Sequence, residues 1–437
     1  MNKNIKLAVA GAVLALSASA ANAGIIIPAG DWTVDINGNM NAFYTNKSVD
    51  YKWSHNHGSD TVYSDSDKSA TANTIGTGLL PSSLGIGAKT RQNDLDVAFQ
   101  FSFWTGTSSG SNGGSNLGGG NNSLNIRQAY LTFGDKSWGQ IKLGRDLGVF
   151  GSDAILSDMT LLGVGVSGTG WGQPAAGGNS TLGRIGSGYL YANWYGQVQY
   201  QSPVFNGFQV TAAIQENAHG ESDSDSDGYN HNLGFAGKAT YDFAANDVTG
   251  RVWVGGFTQK NNEYGDEKYR ASVGEIGAKV SASGFGLVGY YYDGKGVDSQ
   301  FGATNQFSSG DGNAPGYNDS GVGGILMGND FRSDDSGGYV QATYTIPGVG
   351  TKLGASWGQS NSKGHESYRN GRQEIENESW IVGAYHPLTK HLNLVAEYTN
   401  QKIKSDYTYD NSNASARNGW HGKAEADTVS LGAILFF

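Results

Sequence analysis

The sequence predicts an all-β fold, a transmembrane antiparallel β-barrel of about sixteen strands, an even number as bacterial membrane barrels have. Three observations predict it. Apolar and polar residues alternate along many segments, and no segment after the first 23 residues has the ~18 consecutive apolar residues that a membrane helix needs. The composition suits strands and turns, with 11% aromatic residues and 68 glycines against only 38% hydrophobic residues overall. The alternating segments are joined by tight turns and long polar loops in turn.

Taken in order, DWTVDINGNMNAFY sets Trp32, Val34, Ile36, Met40, Ala42 and Tyr44 on one face and Asn37, Asn39 and Asn41 on the other. DLDVAFQFSF aligns Leu95, Val97, Phe99, Phe101 and Phe103, and YLYANWYGQVQY aligns Trp194, Val198 and Tyr200. GFQVTAAIQ, YVQATYTI and HLNLVAEYT repeat the pattern with Val210, Val340 and Leu394. The closing VSLGAILFF puts Val429, Leu431, Ala433, Leu435 and Phe437 on one face. Segments 123–133 and 138–147 carry apolar residues on both faces. Tight turns fall at 135–137, 203–207, 244–246, 283–284, 347–350 and 389–390. Polar loops rich in Gly, Ser, Asn and Asp are expected at 46–82, 107–123, 148–185, 218–228, 259–266, 295–335, 360–373 and 404–424. Short turns at one end and long loops at the other are expected of an outer-membrane barrel, with the turns on the periplasmic side. A last strand ending on an aromatic residue suits closure against the first strand, with that aromatic toward lipid or the interfacial girdle.

The start is read as a leader. Lys3 and Lys6 precede an apolar run from Leu7 to Leu16 and the small-residue site Ala21-Asn22-Ala23. This is the layout of a secretory signal, so residues 1–23 are expected to be removed and 24–437 to form the barrel. The formal charge is −10, and losing two lysines leaves the mature chain more acidic still. An acidic exported protein does not suit nucleic-acid binding. There is no Cys, so disulfides and thiolate metal sites are excluded.

Over its mature length the chain resembles the general porins of Gram-negative bacteria. NIRQAYLTFG (125–134) resembles a strand of that family with an inward Arg. GRDLGVFGSDAILSDM (144–159) resembles its entry into the long third loop. YQSPVFNGFQV (200–210) resembles one of its turns, and the terminal Phe437 is a further match. The resemblance implies a homotrimer of outer-membrane channels for ions and small hydrophilic solutes. It also implies a third loop, 148–185, folded into the pore, with carboxylates facing arginines on the opposite wall. Carried over, Asp158 and Asp153 are the loop carboxylates, Arg127 and Arg184 the wall arginines, and Arg145 lies near the loop root. Where the family has further charges, this sequence has Thr160-Leu161-Leu162 after Asp158, and Ser83 and Asn39 on the wall. Lys89 compensates if its face points inward. Opposed fixed charges across a narrow pore orient dipolar solutes and penalise apolar ones.

No enzyme is expected. Gly354-Ala355-Ser356-Trp357-Gly358 matches a nucleophile elbow but lies within an alternating strand. Gly163-x-Gly165-x-x-Gly168 matches a dinucleotide fingerprint with no helix pattern after it. Asp223-x-Asp225-x-Asp227-Gly228 begins like a calcium loop but has Gly234 where the twelfth-position Glu belongs. His55 and His57 are weak metal spacing. No cofactor is expected beyond Ca²⁺ or Mg²⁺ held loosely by outer-loop carboxylates and bridged to lipopolysaccharide phosphates. The acids in question are Asp60, Asp65, Asp67, Glu221, Asp223, Asp225, Asp227, Asp330, Asp334 and Asp335. Around the mouth they favour weak cation selectivity or near neutrality. Two alternatives remain open from the residues. One is a channel selective for a sugar or aromatic solute stacking on Trp171; the other is a barrel hydrolase.

Overall fold

The computed structural model describes residues 24–57, 61–107, 124–167, 180–216, 232–262, 268–297, 333–364, 371–410 and 417–437. Eighteen strands follow one another: β1 (Ile25–Ala29), β2 (Trp32–His57), β3 (Thr61–Gly76), β4 (Ser82–Gln92), β5 (Leu95–Thr105) and β6 (Asn125–Asp135). Next come β7 (Gly139–Leu147), β8 (Trp194–Gln201), β9 (Phe208–Gln215), β10 (Gly234–Ala245), β11 (Val248–Asn262) and β12 (Lys268–Ala282). The rest are β13 (Phe285–Lys295), β14 (Ser333–Thr345), β15 (Lys352–Gly364), β16 (Gly371–Pro387), β17 (Leu392–Asp410) and β18 (Arg417–Phe436).

These eighteen segments make a closed barrel of sixteen antiparallel staves. Two staves are each built from two segments. The outer half of β2 pairs with β3 (Phe43 opposite Gly76), and its lower half pairs with β4 (Asn39 opposite Ser83). On the other side of β2, β18 ends with Phe436 opposite Asn39, and β1 continues the line with Ile25 opposite Ile36. Phe437 seals the seam: its N–H donates to the Gly38 carbonyl at 3.1 Å, and its carbonyl accepts the Gly38 N–H at 2.8 Å. Closure leaves no unpaired edge, which is what a sheet in lipid requires.

The alternation fixes which face is which. Met40, Tyr44, Ile86, Phe101, Val198, Val210, Val254, Ile276, Val340, Leu394 and Leu431 are exposed on the outside. The opposite face carries buried Asn39, Asn41, Ser356, Ser360, Ser379, Thr399, Thr428 and Ser430. An apolar exterior around a polar interior inverts the soluble pattern and suits a lipid-facing wall.

All six expected tight turns lie between the ends of consecutive strands. Several expected loops do not remain loops. The 46–82 stretch is largely the hairpin of β2 and β3, and 404–424 largely that of β17 and β18; 259–266 and 360–373 are shortened in the same way. At ~3.3 Å per residue, the 26 residues of β2 reach roughly 85 Å, far beyond an apolar band ~25 Å tall. Outside that band no face has to meet lipid, so no apolar period is required there. The leader, Trp171, and most of 107–123, 218–228 and 295–335 lie outside the described residues.

Candidate functional site: the loop inside the barrel

The connection between β7 and β8 runs from 148 to 193, and its described parts, 148–167 and 180–193, fold inward. It contains a short helix α1 (Ser152–Ser157) and a 3-10 turn (Met159–Leu162). Asp158 separates them and caps the turn, accepting the Thr160 N–H at 2.9 Å.

Inward-facing side chains then hold the loop stave by stave. Glu275 of β12 accepts the Gly151 N–H at 3.1–3.2 Å. Tyr339 of β14 donates to the Ala154 carbonyl at 2.8 Å. Gln341 of β14 takes the Met159 N–H at 2.7 Å and gives to the Ser157 carbonyl at 3.0 Å. Glu397 of β17 accepts the N–H groups of Val164 and Gly165 at 2.8 and 2.7 Å. Asn377 of β16 donates to the Gly186 carbonyl, and Ser360 of β15 accepts the Gly188 N–H at 3.1 Å. Ser167 and Thr428 of β18 are 3.3 Å apart. The link between β3 and β4 joins in, with the Leu79 N–H donating to the Gly163 carbonyl at 2.9 Å. Backbone groups of an irregular segment inside a barrel need partners, and the wall supplies them.

The charged residues are arranged differently from the expected facing rows. Asp153 does not meet Arg127 or Arg184. It sits between Lys238 of β10 at 2.5 Å and Arg251 of β11 at 3.0 Å, and Arg251 also holds Asp242 at 2.6 Å. Burial raises the Asp153 pKa, but Lys238 and Arg251 outweigh it and hold the carboxyl down at about 2. Asp158 accepts the Tyr189 hydroxyl at 2.8 Å, and both belong to the loop. Burial, then this carboxylate, raise the Tyr189 phenol well above its ordinary range.

Arg184 is a correction. It is not on the opposite wall but in the returning arm of the loop, fully buried at 0% exposure. Its Nε donates to Ser356 of β15, and its Nη1 donates to Ser379 Oγ of β16 at 3.1 Å. Arg145 is the second correction. It lies on the Leu143 face of β7, opposite the face where Lys142 meets Asp146, and pairs with Glu216 at 3.7 Å. Period-two alternation decides this, since neighbours in a strand point to opposite faces.

Arg127 does face inward. Ser102 pairs with Gln128 but Phe103 pairs with Ile126, so Arg127 is the extra residue of a β-bulge. The bulge turns it inward beside Trp104 and Trp194, with its guanidinium carbon 4.9 and 5.8 Å from the two ring centroids. Asn39 is buried and donates to Ser83 Oγ at 2.9 Å and to the Pro81 carbonyl at 3.2 Å. Lys89 shares the face of Ser83 on β4 and is exposed. Of the outer acids, Asp334 pairs with Lys295 at 3.3 Å. Asp335, 1% exposed, accepts from Ser333 and Ser362 and ties down the β14–β15 hairpin instead of facing the mouth. The side chains of the other acids lie outside the described residues.

The sequence reading missed Lys238, Arg251, Glu275, Glu397 and the two indoles. All but Trp194 sit at positions whose alternation points inward, which was the available signal; alternation sets Trp194 on the outer face with Val198 and Tyr200, whereas it is buried beside Arg127. What pairs with what depends on the course of the loop, which alternation does not encode. Ser356, in the elbow-like motif, is a strand residue engaged by Arg184.

A closed sixteen-stave barrel with an apolar exterior and a loop tied to its inner wall defines a membrane channel of the outer-membrane type. A family model described as Gram-negative porin matches residues 9–406. The chain belongs to the Gram-negative porin family, and it is an outer-membrane channel for small solutes. No curated protein matches its sequence. Among solved structures, the DcaP outer-membrane channel of Acinetobacter baumannii is similar at 15% identity and TM-score 0.53, covering 95% of this chain and 100% of that one. The OmpT outer-membrane protein of Vibrio cholerae, folded in vitro, is similar at 14% identity and TM-score 0.52, covering 94% and 99%. OmpF of Salmonella typhi, in complex with daunomycin, is similar at 15% identity and TM-score 0.51, covering 94% and 100%. At these identities the likeness concerns the fold alone.

Proposed function

We propose that the barrel is a passive, water-filled pore for ions and small hydrophilic solutes, narrowed by the loop at 148–193, and that it performs no chemistry on what passes. The observation that carries this reading is the fixing of the described parts of the loop to the inner wall. Among the described residues its hydrogen bonds to the wall fall on β8, β10, β12, β14 to β18 and the β3–β4 link, and its ion pairs fall on β10 and β11. Lys89 stands on the inner face of β4. Asp153 and Asp158 serve the pore by holding the loop in shape, and Arg184 by holding it to the wall.

Three finer parts belong to the same proposal. The leader at 1–23 is removed on export. The barrel assembles as a homotrimer through the apolar outer faces of β18, β2, β4 and β5, where Met40, Tyr44, Ile86, Phe101 and Leu431 are exposed. The outer acids hold Ca²⁺ or Mg²⁺ loosely against lipopolysaccharide; among the described residues no group of three metal-ligating side chains is present.

The test is a size series of sugars in a liposome-swelling assay, with a salt-gradient reversal potential on the same preparation. Rates falling smoothly with sugar size, and a reversal potential near zero or weakly cation-directed that shrinks as salt rises, are expected. Saturable uptake of one sugar alone, or turnover of an ester substrate, would overturn the passive reading.

A further inference from the structure

Asp35 on β2 carries a carboxylate oxygen, Oδ1, that is buried and has no hydrogen-bond partner. Buried acceptors are almost always satisfied, so this one calls for an explanation. Period two sets Asp35 on the inner face with Asn37 and Asn39. Its cross-strand partners are Ile26 of β1 and Gly87 of β4, and neither side chain can donate. Lys89 shares the face from its place opposite Thr33 and makes no bond to Oδ1. What does stand against the carboxylate is Gly24: a Cβ built on it would touch Oδ1 and lie 3.5 Å from Oδ2.

Gly24 also lies at the seam where the two ends of the chain meet. Phe437 is bonded to Gly38, and Ile25 pairs with Ile36, so by the same register the one place between them, opposite Asn37, falls to Gly24. Phe437 and Gly24 are therefore successive positions in one stave. Because Phe437 fills the place opposite Gly38, that stave has room for a chain whose first residue is Gly24.

We propose that removal of the leader between Ala23 and Gly24 creates the missing partner, and that Asp35 is the acceptor built to bind the new α-ammonium group; this rests on the leader reading above. Hydrolysis breaks the Ala23–Gly24 bond: one water gives its hydroxyl to the Ala23 carbonyl carbon and a proton to the Gly24 nitrogen. In neutral water the new acid then loses a proton and the new amine gains one, so a neutral amide gives way to a cation with three donors. A terminal glycine turns easily about its Cα–C bond. That turn carries the ammonium into the direction of the missing Cβ, where it meets Oδ1 in a charge-assisted hydrogen bond. The tie fixes the start of β1, the loose end of a stave whose chain is broken.

The experiment has two arms. The intact mass of the exported protein should give Gly24 as the first residue; another first residue overturns the leader reading, and the pairing with it. The full mature chain starting at Gly24 is then refolded into vesicles and titrated with urea in four forms: unmodified, acetylated at the α-amino group alone, Asp35→Asn, and both. Each single change should lower the folding equilibrium constant roughly tenfold, and the double form should fall no further than either. Effects that add, or an Asp35→Asn form as stable as the unmodified chain, overturn the pairing while the leader reading stands; the ammonium would then belong to the Phe437 carboxylate, next in the line. If Asp35→Asn does not refold, the pH profile of α-amine acetylation decides. Pairing moves it to higher pH in the folded chain than in urea, and a profile unmoved or moved lower overturns the proposal.

Discussion

Asp153 in helix α1 and Arg251 on β11 form a buried ion pair at 3.0 Å, so the loop is tied to the barrel by charge as well as by hydrogen bonds. Removing the carboxylate's charge leaves Arg251 and Lys238 without it. Losing one partner of a buried pair costs about 3 kcal/mol. For Asp153→Asn we expect faster amide exchange across 152–157 and brief, frequent closures in single-channel records. Exchange and noise identical to the unmodified protein would show that the pair does not hold the loop.

The same pair sets a pH window. The Asp153 carboxyl is held at about 2, below the ordinary value of 3.8. A depressed carboxylate contributes stability that is fully present above the unfolded value and is lost as pH falls through the folded one. Measured as the difference from Asp153→Asn, the pair's own contribution should therefore stay constant from pH 8 to about pH 5 and be lost progressively as pH falls toward 2. Current traces at pH 7, 4 and 2.5 check this; a change centred between pH 5 and 7 would point to another group.

Arg184 gives a different signature from a pore-lining arginine. Its guanidinium is packed against Ser379 and Ser356, and a Cβ added at Gly358 would sit 2.6 Å from its Nη1 and 2.5 Å from the Ser187 carbonyl. Arg184→Ala should lower resistance of the loop to proteolysis by roughly tenfold, since one hydrogen bond to a charged group is worth about 1.5–3 kcal/mol. Gly358→Val should do the same by pushing the loop off β15. Reversal potentials should shift little in either. A large shift toward cations in Arg184→Ala, with the loop still protected, would place this charge in the lumen after all.

The outer face makes a prediction independent of the loop. Val254 and Ile276 are cross-strand partners, both exposed on the exterior near the middle of their strands. Val254→Arg should cost about 2–4 kcal/mol if it meets lipid at mid-membrane. Urea titration of the protein refolded into vesicles measures it. A neutral effect would mean that this face is not lipid-exposed.

How much of this was legible depended on what faces what. Alternation gave the outer face wherever one side met lipid, as at Val429, Leu431 and Leu435, and turn chemistry gave the tight ends. It failed at the outer halves of β2, β3, β17 and β18, because a strand beyond the lipid band needs no apolar face. Arg127 was readable as inward from a family likeness; the bulge that turns it could not be read, since an extra residue shows only against a partner strand. Arg184 and Arg145 were misplaced for a common reason. Motif likeness carries residue type, whereas position depends on where the loop turns back and on parity along β7. Glu397 and Glu275, which hold the loop by its backbone, leave no motif at all.

The central claim is that this barrel conducts while its loop stays bound to the wall, and single-channel recording with a tethered loop tests it most directly. The chain has no cysteine, so a Ser187→Cys, Ser379→Cys pair, whose hydroxyls lie 2.9 Å apart, reports without background. The expected result is spontaneous disulfide formation, with stepwise ohmic currents of the same size before and after reduction. A pair that never forms the bond, or bilayers that stay sealed until the bond is reduced, would contradict the account.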